Sequence, residues 1–308
     1  MSSSESASPP VGRPPRKVDD RDARGAERVV VVTGASTGIG RACVLDLLAN
    51  GYTVYAGVRS LAAASELATA AGAASGRLRP LQLELTSASD VAAAAQTVND
   101  ELNGGHFHGL VNNAGIAVAG PMEFLPLDDL RQQFEVNVIG QVGLAQAFMP
   151  LLRERPGRLV FVGSVSGLVS SRLLGAYAAS KFALEAVADA FRRELLPFKV
   201  RVSVVEPGRI ATPIWEKSLS EGLERMERVS PKAREYYGNL IGDLAKGAEF
   251  ATLHGTRPER VALAVRRALS ARRSRTRYFV GPDAHLINVL RRVLSDPQLD
   301  RVVRSSGR

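Results

Sequence analysis

VVVTGASTGIG, residues 30–40, is the stretch of this 308-residue chain around which the other elements are arranged. The β-branched run that opens it predicts a short strand buried on both faces of a parallel sheet. Gly34, Gly38 and Gly40 follow at once, and the amphipathic stretch after them, closed by Gly51, predicts a helix. A strand, a glycine loop and a helix in this order direct backbone N–H groups and the positive end of the helix dipole toward a phosphate group. The pattern therefore indicates a dinucleotide-binding unit.

Apolar runs alternate with amphipathic stretches along the rest of the chain. This alternation predicts an α/β fold, a doubly wound (Rossmann) parallel sheet with helices on both faces. Ligands of such sheets bind beyond the carboxyl ends of the strands, where the glycine loop lies. Further strands are expected at 52–58, 78–85, 108–111, 159–162 and 200–205, and long helices at 87–102, 128–153 and 175–195.

A second stretch, GSVSGLVSSRLLGAYAASKFALE at 163–185, concentrates reactive side chains. If 175–195 is helical, Tyr177 and Lys181 stand at i and i+4 on one face. The pKa of a free phenol is about 10, and a neighbouring ammonium group lowers it toward the range in which proton transfer is efficient. Ser164, at the end of an expected strand, could donate a hydrogen bond to a substrate oxygen. The Tyr and Lys spacing alone also fits an ordinary pair on a helix surface.

Five short motifs occur in the order in which one family uses them. After TGASTGIG come NNAG at 112–115, VNVIG at 136–140, the pair of Tyr177 and Lys181, and EPGRIAT at 206–212. Over residues 29–282 the chain therefore resembles a short-chain dehydrogenase/reductase. Its segments LQLELTSASDVAAA, GSVSGL, ASKFALE, LLPF and, after RPERVALAV, TRYFVGPDA are similar to the 17β-hydroxysteroid and retinol dehydrogenase branch.

The resemblance implies four catalytic residues. Tyr177 would be the acid or base, Lys181 would lower its pKa and bind the nicotinamide ribose, and Ser164 would polarise the substrate carbonyl. Asn137 would distort its helix slightly and hold a water beside Lys181. A buried Asn with a purely structural role is the alternative interpretation of that position. Ser164 and Tyr177 are the expected contacts to the substrate.

The resemblance also implies a nicotinamide dinucleotide as cofactor. NAD-selective members carry an acidic residue that binds the ribose 2′-hydroxyl, and here Val58 stands in that position with Arg59 beside it. We therefore expect NADP(H) to be preferred. NAD(H) is possible because the glycine loop has no Lys or Arg, and Arg59 could be an ordinary solvated residue. Glu84 replaces the Asp that the family places near the adenine ring. The implied cofactor contacts are Gly34, Ser36, Thr37, Gly38, Ile39, Gly40, Arg59, Glu84, Leu85, Asn113, Ala114, Gly115, Tyr177, Lys181, Pro207, Gly208, Ile210 and Thr212.

Residues 213–256 fall outside these motifs and mix large apolar side chains, including Trp215, Leu219 and Met226, with many charges. In the family this region is a helical flap, so we expect a small helical substrate lid over a bulky ligand. The resulting hypothesis is an NADP(H)-dependent oxidoreductase that interconverts an alcohol and its ketone or aldehyde on a hydrophobic, steroid- or retinoid-like substrate. A 3-oxoacyl thioester or general ketone reductase and a catalytically silent dinucleotide-sensing regulator are the alternatives. By analogy, we expect a homodimer or homotetramer.

The two ends of the chain differ from its middle. Residues 1–28 are rich in Ser, Pro and charged residues without hydrophobic periodicity, which predicts a disordered tail before the 29–282 domain. Residues 251–308 hold thirteen Arg and four acidic residues, so they carry the formal net charge of +9. We expect 283–308 to be a basic C-terminal extension whose 284–294 helix packs on the body. Contact with an anionic membrane surface is the less favoured alternative.

Composition argues against several other classes of protein. No apolar run reaches the length of a membrane span, and none opens the chain as a signal peptide. Cys43, the only cysteine, cannot form an intrachain disulfide and is interpreted as a packing residue, which suits a cytoplasmic location. His106 and His108 are expected in a loop before a strand and lack a third ligand, so no metal site is predicted. The Arg cluster has no recognised nucleic-acid-binding module, so no nucleic acid is expected as partner.

Overall fold

Seven parallel strands form one sheet in the computed structural model, which describes residues 27–102, 105–215, 218, 220–221, 224 and 231–305. The strands are β1 (Arg28–Thr33), β2 (Thr53–Val58), β3 (Leu78–Gln82), β4 (His106–Asn112), β5 (Arg158–Val162), β6 (Arg201–Pro207) and β7 (Arg277–Val280). Their order across the sheet is β3-β2-β1-β4-β5-β6-β7. Because the chain reverses its direction of travel between β1 and β4, a switch point opens at their carboxyl ends. The predicted doubly wound fold is confirmed.

Helices cover both faces of this sheet. They are α1 (Gly38–Ala49), α2 (Ala62–Ala71), α3 (Ala88–Glu101), α4 (Leu127–Phe134), α5 (Gly140–Glu154), α6 (Gly175–Glu194), α7 (Pro231–His254), α8 (Pro258–Ser270), α9 (Pro282–Val293) and α10 (Asp296–Ser305). Helices α1 and α8 pack together on one face, and α3, α5 and α6 lie on the other. Short 3₁₀ turns lie at Gly72–Arg77, Met122–Phe124, Val165–Gly167 and Leu196–Phe198.

Strand β1 shows why its valine run ends up inside the protein. Val30 and Val32 join the hydrophobic core that contains α1 and α8, whereas Val29 and Val31 join the core that contains α3, α5 and α6. Successive strand residues point to opposite faces, so an unbroken apolar run is required where both faces are covered. This burial agrees with the expectation from sequence.

The predicted helix over 128–153 is interrupted. Between α4 and α5, residues Glu135–Ile139 form a π-helical turn that contains Asn137. A π turn inserts one extra residue and reorients the side chains around it. The expected slight distortion at Asn137 therefore occurs, and two α-helices flank it instead of one regular helix.

Three expected boundaries were wrong. His106 and His108 lie within β4, not in a loop, because β4 pairs with β1 from Arg28 onward. Burial lowers the pKa of His108 to about 4, and its Nε2 lies 3.0 Å from the Leu269 carbonyl oxygen. Strand β3 ends at Gln82, whereas it was expected to continue to residue 85. Arg28 belongs to β1, and the remainder of the tail prediction, residues 1–26, lies outside the described residues.

The C-terminal segment begins as part of the body. Asp283, in the first turn of α9, accepts a hydrogen bond from the Arg209 backbone N–H at 2.6 Å, and Ala284 is fully buried. Leu286 and Val289 on the same helix are exposed. The expected packing of this helix on the body is thus seen at its first turn.

The described ranges also bear on membrane insertion and metal binding. None of the helices there is long and apolar enough to cross a membrane. No cluster of three or more His, Cys, Asp or Glu side chains in those ranges is arranged to hold a metal ion. Cys43 is fully buried, and this burial raises the pKa of its thiol, as suits a packing residue.

Candidate active site

A cavity of about 890 Å³ lies at the carboxyl ends of β1, β4, β5 and β6. Every residue that the sequence analysis assigned to cofactor or substrate lines it. From the glycine loop come Gly34, Ser36, Thr37, Gly38, Ile39 and Gly40; from the ends of β2 to β4 come Arg59, Glu84, Leu85, Asn113, Ala114 and Gly115; from beyond β5 come Ser164, Tyr177, Lys181, Pro207, Gly208, Ile210 and Thr212.

The glycine loop provides a site suited to phosphate. Gly34 and Gly38 have φ angles of +63° and +53°, which favour glycine because a side chain would be strained there. Helix α1 begins at Gly38, with no side-chain cap on Thr37 and no acidic residue in its first turn. Its first N–H groups and its dipole therefore face the cavity without a competing negative charge. The residues present fit the pyrophosphate of a dinucleotide.

Thr33 and Asn113 hold the glycine loop in place. The Thr33 hydroxyl oxygen accepts hydrogen bonds from the backbone N–H groups of Asn113 and Ala114, each at 2.9 Å. The Asn113 side-chain amide donates to the Thr33 carbonyl at 2.8 Å. These bonds join the ends of β1 and β4 at the switch point, so Asn113 also positions the loop that faces the phosphate site.

Helix α6 brings Tyr177 and Lys181 to the cavity together, as their spacing predicts. Both side chains are buried, and the Lys181 Nζ lies 5.8 Å from the centre of the Tyr177 ring. The Lys181 ammonium donates a hydrogen bond to the Val162 carbonyl at 2.8 Å, at the end of β5. Two residues later in the chain, Ser164 lies against the Tyr177 hydroxyl.

The electrostatics of this pair differ from the expectation. Burial raises the pKa of Tyr177 to about 12, and the smaller opposing effect is a hydrogen bond with Ser164. Burial also lowers the pKa of Lys181 to about 8, against the opposing charges of Glu206 and Glu185. Lys181 was expected to lower the pKa of Tyr177. Instead, burial has the largest effect, and the nearby charge of Glu206 adds to the rise.

Asn137 lies behind the cavity instead of lining it. Its Oδ1 accepts from the Ile116 N–H at 2.9 Å, and its Nδ2 donates to the Ile116 carbonyl at 2.9 Å and to the Ser180 hydroxyl at 3.1 Å. Both its donors are therefore engaged by protein groups. Ser180 in turn donates to the Tyr177 carbonyl at 2.7 Å, which joins the π turn to α6. The water-holding role of Asn137 stays a prediction.

The end of the cavity where the adenosine half is expected is formed by residues that follow β2 and β3. Arg59 lines the cavity from an exposed position directly after β2, beside the buried Val58. The Glu84 carboxylate accepts hydrogen bonds from the N–H and the hydroxyl of Thr86, both at 3.2 Å, and so is held by its own turn. Leu85 is buried.

Apolar side chains line much of the opposite end of the cavity. Trp215 packs edge-on against Tyr177 with 5.9 Å between the ring centres. Helix α7 lies close by, where the Tyr237 hydroxyl donates to Glu123 at 2.7 Å and Phe124 contacts the rings of Tyr236 and Tyr237. This is the region predicted as a lid. Within it, Leu219 and Met226 lie outside the described residues.

Comparison with known proteins agrees with this geometry. The family described as short chain dehydrogenase matches residues 28–222 of the chain. The chain belongs to this family. It is an oxidoreductase that acts on CH–OH groups and uses NAD(P)(H).

Several named relatives extend over most of this short-chain dehydrogenase/reductase. It is 33% identical over 273 residues to 3-amino-tetrahydro-pyrrolizinone reductase of Xenorhabdus hominickii, covering 88% of this chain and 93% of the relative. It is 35% identical over 268 residues to mouse retinol dehydrogenase 5, covering 85% and 83%. It is 34% identical over 290 residues to human 17-beta-hydroxysteroid dehydrogenase type 1, covering 92% and 86%. The resemblance to the hydroxysteroid and retinol dehydrogenases is confirmed.

A solved structure supports the fold of this short-chain dehydrogenase/reductase. It is a short chain dehydrogenase from Burkholderia cenocepacia J2315 in complex with NADP. The TM-score is 0.68 and the identity 25%, with 90% of this chain and 97% of that chain covered. The fold of the two proteins is therefore the same along nearly their whole length.

Some residues that hold the site in place were not predicted from the sequence. The turn at Gly208 and Arg209 is fixed by Asp283, as described above, and by Thr256, whose N–H donates to the Arg209 carbonyl at 2.9 Å. Glu206, inside EPGRIAT, received no role, although it is fully buried next to Ser164. An acidic residue directly after the apolar pair Val204 and Val205 was the available signal for Glu206, whereas no local pattern marks Thr256 or Asp283.

Proposed function

We propose that this protein is an NADP(H)-dependent oxidoreductase that interconverts an alcohol and its ketone or aldehyde on a bulky hydrophobic substrate. The observation that carries the proposal is the meeting of Ser164, Tyr177 and Lys181 at one end of a cavity whose other end suits a dinucleotide phosphate. When bound, the nicotinamide supplies the hydride in reduction and accepts it in oxidation.

The side chains of this site can move the proton that accompanies the hydride. With its pKa raised to about 12, Tyr177 is protonated near neutral pH and can donate its proton to a carbonyl oxygen in the reductive direction. The Ser164 hydroxyl can donate a hydrogen bond to the same oxygen. The Lys181 ammonium favours the phenolate that forms as Tyr177 gives up its proton, because opposite charges attract strongly where water is excluded. In oxidation, Tyr177 must first lose its proton, so alkaline conditions favour that direction.

The apolar end of the cavity supports the choice of substrate class. Ile116, Ala117 and Val118 line it after β4, and Ile214 and Trp215 line it beyond β6. Gln132, Glu135, Ser218 and Glu221 also line the cavity, so the lining suits a hydrophobic skeleton that carries a few polar groups. The names of two relatives, a retinol dehydrogenase and a 17-beta-hydroxysteroid dehydrogenase, agree with that class.

A substrate panel tests this proposal. We expect NADPH oxidation, followed by its absorbance, with retinal or estrone, and much weaker turnover with acetoacetyl-coenzyme A. Turnover of the thioester alone would instead support a 3-oxoacyl thioester reductase. Tight NADPH binding with no turnover of any carbonyl compound would support a dinucleotide sensor.

Arg59 is the residue proposed to favour NADP(H) over NAD(H). Replacing Arg59 by Ala is expected to raise the KM for NADPH by about tenfold, the order of effect of one hydrogen bond to a charged group. The KM for NADH should change little, because NADH has no 2′-phosphate. Arg267→Ala, at an exposed position on α8 away from the cavity, serves as the control. Equal changes for the two cofactors in Arg59→Ala would contradict the assignment.

A homodimer or homotetramer and a cytoplasmic location stay predictions. Ile139 and Phe182, on the helical segments that carry Asn137 and Tyr177, are exposed large apolar residues, which supports pairing of two copies through these segments.

A further inference from the structure

Two carboxyl groups meet inside the protein directly behind the catalytic residues. Glu206 is the next-to-last residue of β6 and is fully buried, and Glu185, one helical turn after Lys181 on α6, is 9% exposed. The Oε2 of Glu206 accepts a hydrogen bond from the Ser164 backbone N–H at 3.1 Å. Neither carboxyl group takes part in the proton transfer proposed above.

Two glycines of the GSVSG sequence make space for this pair. A Cβ atom at Gly163 would lie 2.8 Å from the Oε2 of Glu206 and 3.2 Å from the Oε1 of Glu185. A Cβ atom at Gly167 would lie 3.2 Å from the Cγ of Glu185. Only a residue without a side chain lets both carboxyl groups reach the loop that carries Ser164.

The positive charges around the pair match one negative charge better than two. Arg277 on β7 contacts the Oε2 of Glu185 at 2.6 Å, but its Nε is 3.9 Å from the Oε1 of Glu206, beyond hydrogen-bond distance. Arg277 also pairs with Asp189 at 3.2 Å. Lys181 is the other cation facing Glu206, and its hydrogen bond goes to a backbone carbonyl. Two ionised carboxylates here would thus be buried with incomplete compensation.

The oxygens of the two carboxyl groups that lack hydrogen bonds also favour one negative charge over two. Among the described residues, neither the Oε1 of Glu185 nor the Oε1 of Glu206 has a hydrogen-bond donor as its partner. A buried acceptor without a donor is costly, and two carboxylates in contact cannot both ionise readily. One proton shared by the two groups removes both difficulties.

We propose that Glu185 and Glu206 share one proton and act together as positioning residues that hold Ser164 in place for the reaction. The proposal rests on the oxidoreductase function proposed above. Burial, followed by the hydrogen bond with Glu185, raises the pKa of Glu206 well above its ordinary value, which is the direction that a shared proton requires.

The pair completes a set of bonds that fixes three successive residues after β5. Lys181 holds the Val162 carbonyl at 2.8 Å, the Val205 carbonyl accepts from the Gly163 N–H at 2.8 Å, and Glu206 accepts from the Ser164 N–H. The Ser164 hydroxyl itself accepts from the Ser166 N–H at 3.1 Å. Loss of the Glu206 bond frees the backbone of the residue whose hydroxyl must meet the substrate oxygen.

Infrared spectroscopy of the full chain, without cofactor or substrate, tests the shared proton. With ¹³C-labelled glutamate, we expect the stretch of a protonated carboxyl group at neutral pH. Glu206→Gln and Glu185→Gln should each remove it, because each leaves a single ionised carboxylate with the same net charge. Asp189→Asn, which changes the surroundings of Arg277 but not the pair, should keep it. Absence of the band in the wild type, or its survival in both Gln variants, would overturn the shared proton.

Kinetics tests the positioning role with phenanthrenequinone and NADPH as probes. Glu206→Ala should lower kcat by about 10- to 100-fold, the order of effect of leaving a buried donor unpaired. The KM of this variant for NADPH should stay close to that of the wild type. Glu206→Gln should recover most of the lost kcat, since its amide oxygen can accept from Ser164 and its NH₂ group can donate to Glu185.

The outcomes separate this inference from the proposed function. Wild-type kcat in Glu206→Ala, or a Gln variant as slow as the Ala variant, would overturn the positioning role even if the enzyme reduces carbonyl compounds. If Glu206→Ala does not fold, the infrared band and the kcat of Glu206→Gln still decide the question. If the wild type has no reductase activity, the proposed function fails, and the infrared result alone reports on the shared proton.

Discussion

Replacing Tyr177 by Phe is expected to lower kcat by about 10²- to 10⁴-fold, the range contributed by a positioned general acid or base. The change removes the hydroxyl group that lies against Ser164 and keeps the ring that packs edge-on against Trp215. The dissociation constant for NADPH, measured by fluorescence titration, should therefore stay close to that of the wild type. Steady-state rates with retinal or phenanthrenequinone measure the loss.

Tyr278→Phe is the matched control for this change. The Tyr278 hydroxyl accepts a hydrogen bond from the Arg275 N–H at 3.0 Å, and Tyr278 does not line the cavity. Loss of the Tyr278 hydroxyl should leave kcat nearly unchanged. Wild-type turnover in the Tyr177→Phe variant would mean that another group supplies the proton, and the proposed mechanism would be wrong.

Replacing Gly40 by Ala is expected to destabilise the protein and to weaken NADPH binding at the same time. Alanine in a helix is ordinarily more stable than glycine by about 0.5–1 kcal/mol. Here the added Cβ would overlap the Gly34 carbonyl oxygen and lie 2.6 Å from the Asn113 Nδ2. Overpacking costs about 1–3 kcal/mol, so the collision outweighs the helix preference. The melting temperature should fall, and the Kd for NADPH should rise by tenfold or more, since the glycine loop must move.

Gly242→Ala separates these two contributions. Gly242 lies within α7, where an added Cβ would meet no atom within 4 Å. This variant should keep or slightly raise the melting temperature and leave NADPH binding unchanged. If Gly40→Ala behaved in the same way, close packing of the helix on the glycine loop would not be the reason for glycine at position 40.

The elements predicted most accurately are those that depend on neighbours along the chain. Strand β1, the glycine loop and α1 follow one another within about twenty residues, and their periodicity and turn residues report directly on local geometry. The pairing of Tyr177 with Lys181 on α6 was likewise available from spacing. These features also place the cofactor motifs at one edge of the sheet, because all strands run parallel.

The errors in prediction arose where distant contacts decide the outcome. His106 and His108 have little preference for a strand, yet they extend β4 because β1 offers a backbone partner. The π turn at Asn137 is stabilised by bonds to Ile116 and Ser180, which are 21 and 43 residues away. The pKa of Tyr177 rises because burial, which no short pattern records, outweighs its other interactions.

The amino-acid sequence determined the family, the order of the elements and the residues that reach the cavity, because strand periodicity, glycine turns and helical spacing are local properties of the chain. The three-dimensional packing decided which distant residues contact one another at the site and how their surroundings shift their pKa values. Glu185 and Arg277 stand 92 positions apart and Ser164 and Glu206 stand 42 apart, yet they form one buried cluster. Charge and desolvation act through space, so only the folded chain fixes which groups share a proton and which carry a charge.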